Sequence, residues 1–110
     1  MKKFTDAFNG LKEVLKDKSV QTQCILGVMA VIGGIIIKLD EYEWLAFVIC
    51  IGLVISLEII NSAFERLCDL YTDEYDEKVR SIKDIASACV LVAAFAALTV
   101  CIIVVLRRIL

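Results

Sequence analysis

The sequence predicts an all-α membrane protein, with an N-terminal amphipathic surface helix followed by three transmembrane helices. Two observations predict it. Hydrophobic residues fill 60% of the 110 positions and the mean hydropathy is +0.82, against about 45–50% apolar residues in an ordinary soluble domain. The chain also holds three long runs without charge. A soluble chain this short hides only about 60–70% of the surface it exposes when unfolded. Composition therefore excludes a soluble monomer, a disordered tail and a collagenous chain, and the length suits one domain over residues 1–110.

The first element is read over about residues 1–18. Phe4, Ala7, Phe8, Leu11, Val14 and Leu15 recur at steps of three and four, with Lys2, Lys3, Lys12 and Lys16 on other faces. Such a helix suits the cytoplasmic interface of a bilayer. The first uncharged run, Ser19–Ile37, has 19 residues. Its start is polar, so the span is placed at about 23–39, with Lys38 snorkelling outward. The second run, Trp44–Leu57, has 14 residues and meets Glu58. Fourteen is short of the roughly 20 residues a span needs. The apolar pattern continues through Ile59, Ile60, Ala63 and Phe64, so the helix is placed at about 44–70 with Glu58 within or near the membrane. The third run, Ile85–Leu106, has 22 residues and gives a span at about 84–107. A charged amphipathic stretch precedes the first run, and no small-residue cleavage site follows it, so no cleaved signal peptide is expected.

Charge orients these spans. Residues 1–23 carry five basic groups and residues 65–84 carry four, whereas the loop between spans one and two carries Lys38 beside Asp40, Glu41 and Glu43. The bias places the N-terminus and the 65–84 connection in the cytoplasm, and the C-terminus outside. Arg107 and Arg108 count against this, two charges against nine. The five cysteines form no CxxC pair and read as small hydrophobes. With no histidine in the chain, imidazole-based zinc sites and histidine acid–base chemistry are excluded. No nucleic-acid partner is expected.

Glu58, Asn61, Glu65 and Asp69 are spaced by three, four and four. At about 100° per residue they share roughly an 80° arc of one helix face, with Ser62 beside them. An ionisable residue inside the membrane is a functional candidate by default, because burying it is costly. For Asp69 and Glu65 the alternative is a helix simply leaving the membrane. For Glu58, flanked by apolar residues, that alternative is weak. Lys83 and Asp84 precede Ile85-Ala86-Ser87-Ala88-Cys89, whose small side chains let span three press against span two and bring both charges near the carboxylate face. Acids, an amide and a lysine at a membrane surface suit metal-assisted phosphoryl transfer. There is no G-x-x-x-x-G-K-[ST] sequence and no kinase-type glycine-rich loop, so any nucleotide is held differently.

The run Glu58-Ile59-Ile60-Asn61-Ser62-Ala63-Phe64-Glu65-Arg66-Leu67-Cys68-Asp69 fits the pattern E-x-x-N-[ST]-A-x-E-x-x-x-D. Glu74-Tyr75 and Lys83-Asp84-Ile85-Ala86-Ser87-Ala88 follow at the matching distance, and Phe4, Ala7, Phe8, Gly10, Glu43 and Trp44 extend the match. In these features the chain resembles the prokaryotic diacylglycerol kinase family over nearly its whole length. The resemblance implies a homotrimeric lipid kinase of the bacterial plasma membrane that uses ATP and Mg2+ and phosphorylates diacylglycerol or undecaprenol, the latter favoured by Glu74-Tyr75 and the N-terminal pattern. It implies that Glu58 is the catalytic base and Glu65 a metal ligand, and that Asn61, Asp69, Lys83 and Asp84 organise the nucleotide and the site.

One stretch departs from the family. Where its pattern reads E-x-N-x-R before span one, this chain has Lys18-Ser19-Val20-Gln21-Thr22. A lysine cannot ligate a cation. Asp17, one residue back, is the candidate for the missing oxygen. The alternative reading is a catalytically weak or inactive family member that acts as a lipid-binding or assembly partner.

Overall fold

A computed structural model describes residues 2–110. Among them the chain is helical throughout, with no strand: α1 (Lys2–Val14), α2 (Lys18–Ile36), α3 (Glu41–Tyr71) and α4 (Glu77–Ile109). The last three are long and apolar enough to cross a membrane. At 1.5 Å per residue, α2 is about 28 Å long and just matches the hydrocarbon core, while α3 and α4, at about 46 and 50 Å, project beyond it. The long axis of the molecule is accordingly 52 Å.

Local chemistry sets the helix boundaries. α2 ends in a Schellman turn: Lys38 takes a left-handed conformation at φ 57°, its amide donates to the Ile35 carbonyl (3.2 Å) and the Leu39 amide donates to the Gly34 carbonyl (3.1 Å). These bonds satisfy carbonyls the helix would leave orphaned. Gly34 is required there, because a Cβ at this position would lie 2.8 Å from both Leu39 Cδ1 and the Trp44 ring. α3 opens with a capping box. The Asp40 carboxylate accepts from the Glu43 amide (2.9 Å), and the Glu43 carboxylate accepts from the Asp40 amide (3.0 Å). α4 is capped by Asp76, which accepts from the amides of Lys78 and Val79.

α3 is the central helix and packs against both α2 and α4. Its contact with α2 is close at Gly27, where a Cβ would stand 3.1 Å from Ile51. Small residues allow such approaches in lipid, where apolar surface gains nothing by leaving the solvent. The buried apolar set is therefore thin, with Leu39, Phe47 and Val104 clustered near the α2–α3 turn, Ala93 farther along α4, and Trp44 edge-on to Phe47 at 6.3 Å. Ile25, Val28, Met29, Ile49, Val92 and Phe95 are all at least half exposed, as suits helices apolar enough to cross a membrane. The five cysteines are free.

An ionic clasp closes the end of the bundle at the α2–α3 turn. Glu43 is 3% exposed. The Arg108 guanidinium donates to both of its carboxylate oxygens and, through Nη1, to the Ile37 carbonyl at 3.0 Å. Arg107 stands 3.7 Å from the same carboxylate. Of the two arginines that complicate the charge count, one is thus neutralised by Glu43, in the first turn of α3.

Candidate active site where α2 meets α3

At the other end of the bundle, a polar cleft of about 360 Å³ lies between the start of α2 and the last turns of α3. It is lined by Asp17, Lys18, Ser19, Ser62, Glu65, Arg66 and Asp69. Helical spacing puts Ser62, Glu65, Arg66 and Asp69 on adjacent faces of α3, and the first residues of α2, with Asp17 just before it, deliver the other three. The structure thus gathers Asp17, Glu65 and Asp69 in one place. Asn61 donates from Nδ2 to Glu65 Oε1 at 3.4 Å, a long bond that orients the carboxylate.

The other predicted residues take different positions. Glu58 is one turn farther into α3 than Ser62, 5% exposed, with no hydrogen bond or ion pair among the described residues. Lys83 reaches from α4 to Asp69, Nζ to Oδ1, at 2.8 Å, so the expected approach of α4 to the carboxylate face occurs through this pair. Asp84 lies outside the cleft, largely exposed and paired with Arg80 one turn away (3.4 Å).

Arg66 was not singled out in the sequence. It forms a two-pronged bond to Asp17, Nη1 to Oδ2 at 3.0 Å and Nη2 to Oδ1 at 2.9 Å. The Arg66 guanidinium holds the Asp17 carboxyl below the usual carboxylate range. Ser62, on the same cleft wall, lowers it further, and its Oγ makes no hydrogen bond of normal geometry among the described residues. Both Asp17 oxygens are therefore engaged. Of the three cleft carboxylates, Glu65 alone has no cation paired to it among the described residues. Lys18, despite lining the same cleft, makes no ion pair there. The only sequence signal for the Asp17–Arg66 fork was a lone basic residue within an acidic run.

The sequence profile of the prokaryotic diacylglycerol kinase family matches residues 5–105, which takes in the cleft, Glu58 and all three long helices. The chain belongs to this family. It is 31% identical over 94 residues to the undecaprenol kinase of Bacillus subtilis (strain 168), an alignment covering 84% of this chain and 76% of that protein. Family membership and three apolar spans make this a membrane protein of the lipid kinase class, and the kinase family implies ATP as co-substrate.

A second, apolar groove of about 320 Å³ runs between α2, α3 and α4, bordered by Leu26, Gly27, Val54, Ile55, Ala97 and Leu98 among others. It holds no group able to catalyse phosphoryl transfer. Its α3 wall ends at Val54 and Ile55, within a turn of Glu58.

Proposed function

We propose that the chain transfers the γ-phosphate of ATP to the hydroxyl of undecaprenol. The observation that carries this reading is one helix, α3, that presents a buried Glu58 beside an apolar groove and, a turn on, a polar cleft. Lipid and nucleotide meet along such a face. The similarity to a named undecaprenol kinase supports the lipid assignment, and the groove suits an isoprenoid chain.

Glu58 accepts the proton of the lipid hydroxyl as that oxygen bonds to the γ-phosphorus and the bond to the β-phosphate oxygen breaks, releasing ADP. At 5% exposure it has little access to bulk water. Asn61 holds Glu65 by its amide. Lys83 neutralises Asp69 and pins α4 to α3, and Asp84, through Arg80, fixes the first turns of α4.

No three acids of the described residues gather as a metal site, and one carboxylate of the cleft is left open to a hard divalent cation. Glu65 is unpaired by any cation, and the buried Asn61 Oδ1 has no partner. Mg2+ is ordinarily held by one or two carboxylates together with substrate phosphates, so Glu65 would hold it. Bound there, it would neutralise charge on the phosphates.

The exposed Phe4, Phe8 and Leu11 of α1 support an amphipathic helix lying in the cytoplasmic interface of a bacterial plasma membrane, with the N-terminus inside. A homotrimer would cover apolar faces that one thin three-helix layer leaves open. The lipid assignment is tested by competition, with undecaprenol and diacylglycerol offered together to the purified chain in vesicles with labelled ATP. Undecaprenyl phosphate should dominate the product. Dominant phosphatidic acid would reverse the assignment, and no labelled lipid at all would favour an inactive, lipid-binding relative.

A further inference from the structure

The apolar groove has two unlike ends. Antiparallel packing fixes its levels. Glu43 meets Arg108 and Asp69 meets Lys83 across α3 and α4. Across α2 and α3, Gly27 stands against Ile51 and Ile55, and Asp17 meets Arg66. These pairs put Gln23, the amide in the groove wall, at about the level of Glu58. They put Ala97 at the level of Val54, a turn deeper. The deep end is shut by Phe47, which lines the groove and belongs with Leu39 and Val104 to the buried cluster. From Ile55 to Phe47 the α3 wall is about 12 Å long at 1.5 Å per residue. Width comes from small side chains, Gly27 and Ala30 on α2 and Ala94 and Ala97 on α4. The volume is about 320 Å³. A methylene is about the size of a water molecule, ~30 Å³, so the groove holds about ten carbons of a single chain. That is two five-carbon isoprene units. A chain arriving from the bilayer gains nothing by leaving apolar surroundings, so such a groove selects by shape. Methyl branches fill the room beside the alanines. An unbranched chain leaves that room empty and forfeits contacts, and the paired chains of a diacylglycerol do not fit.

We propose that this groove sets the lipid specificity by taking only the two isoprene units next to the hydroxyl of a polyprenol, with Ala94 and Ala97 as the wall that admits their methyl branches. The proposal rests on the polyprenol kinase reading. The hydroxyl lies at the level of Glu58, the first unit beside Ala94 and the second beside Ala97. Phe47 stops the chain there, and the remaining units turn out into the bilayer unread. The substrate class is therefore any polyprenol of two or more units, whatever its length.

The test is phosphorylation of an alcohol series by the full chain in vesicles, each alcohol at the same mole fraction. The series is dimethylallyl alcohol, geraniol, geranylgeraniol, undecaprenol and unbranched decanol. From dimethylallyl alcohol to geraniol kcat/KM should rise about 10-fold, the scale on which an apolar pocket discriminates small groups. From geraniol to undecaprenol it should stay within about 3-fold, and decanol should fall about 10-fold below geraniol. Ala97→Phe should lower kcat/KM for geraniol and undecaprenol about 10-fold or more, as overpacking does, and leave dimethylallyl alcohol unchanged. Val92→Phe, on the exposed side of α4, should change none of these values, and an equal loss there overturns the proposal. A second measurement needs neither turnover nor a variant. A geraniol analogue with a diazirine at its tail, photolysed with the native chain in nanodiscs, should label Phe47, Ala97 or Val100, and undecaprenol should displace it. Labelling confined to the exposed Ile49, Val92 and Phe95, or no labelling because a second copy of the chain fills the groove, overturns the proposal. The two readings fail separately. Groove labelling without phosphorylation of any prenol sinks the kinase reading alone. Undecaprenol phosphorylation with kcat/KM climbing at every added unit, or indifferent to Ala97→Phe, sinks the groove's role alone.

Discussion

Glu58 and Asp17 show how differently two carboxylates of one chain are treated. Glu58 is buried, flanked in sequence by Leu57 and Ile59, and has no hydrogen bond or ion pair among the described residues, a costly arrangement unless the residue has a use. Glu58→Gln keeps the shape and removes the base. It should leave the helix content and lipid binding intact and reduce turnover about 100-fold or more, since a positioned general base contributes 10²–10⁴. Steady-state kinetics check this, and full activity would remove Glu58 from the mechanism. The candidacy of Glu58 was legible in the sequence because an acid within an apolar run stands out without any tertiary knowledge. The state of Asp17 was not legible. As a candidate for the missing metal oxygen it had the right chemistry, but Arg66, 49 residues away, engages both of its oxygens. Only the packing of α2 on α3 brings the two together.

The helices themselves were readable, and their ends less so, for a physical reason. Hydropathy marks where lipid begins, whereas a helix begins where a cap can form. α4 starts at Glu77, behind its Asp76 cap, well before the first apolar residue of its span. α2 starts at Lys18 and carries its polar Gln21, Thr22 and Gln23 as helix. The close of α2 yields a stability test. Lys38 holds a left-handed conformation that glycine adopts without steric cost. Lys38→Gly should therefore stabilise the fold by about 1 kcal/mol. Gly34→Ala should destabilise it by about 1–3 kcal/mol, the usual range for overpacking, as its Cβ meets Leu39 and the Trp44 ring. Unfolding in mixed detergent micelles measures both, and a neutral Gly34→Ala would mean that the Trp44 ring moves aside freely.

Across the whole molecule, charge is divided between the two ends of the bundle, a catalytic candidate at one and a clasp at the other. Local counting along the chain found the cytoplasmic bias but could not see that Glu43 answers Arg108, 65 residues away. Two outcomes follow. Arg108→Met should loosen the end of α4, read as faster hydrogen exchange over its last turns and a lower melting temperature, while the distant cleft keeps its ADP affinity. Unchanged exchange would mean that the clasp holds nothing. A single cysteine at position 41, in a chain otherwise free of cysteine, should be labelled by an impermeant reagent in intact cells, and one at position 75 only after permeabilisation. The reverse pattern would overturn the orientation and place the cleft away from cytoplasmic ATP. The account as a whole stands on direct transfer between the two substrates of one site. The most direct measurement is the ratio of ADP released to labelled undecaprenyl phosphate formed, with γ-labelled ATP and the purified chain in undecaprenol vesicles. The account predicts one lipid phosphate for each ADP; ADP released without labelled lipid, or neither product, would contradict it.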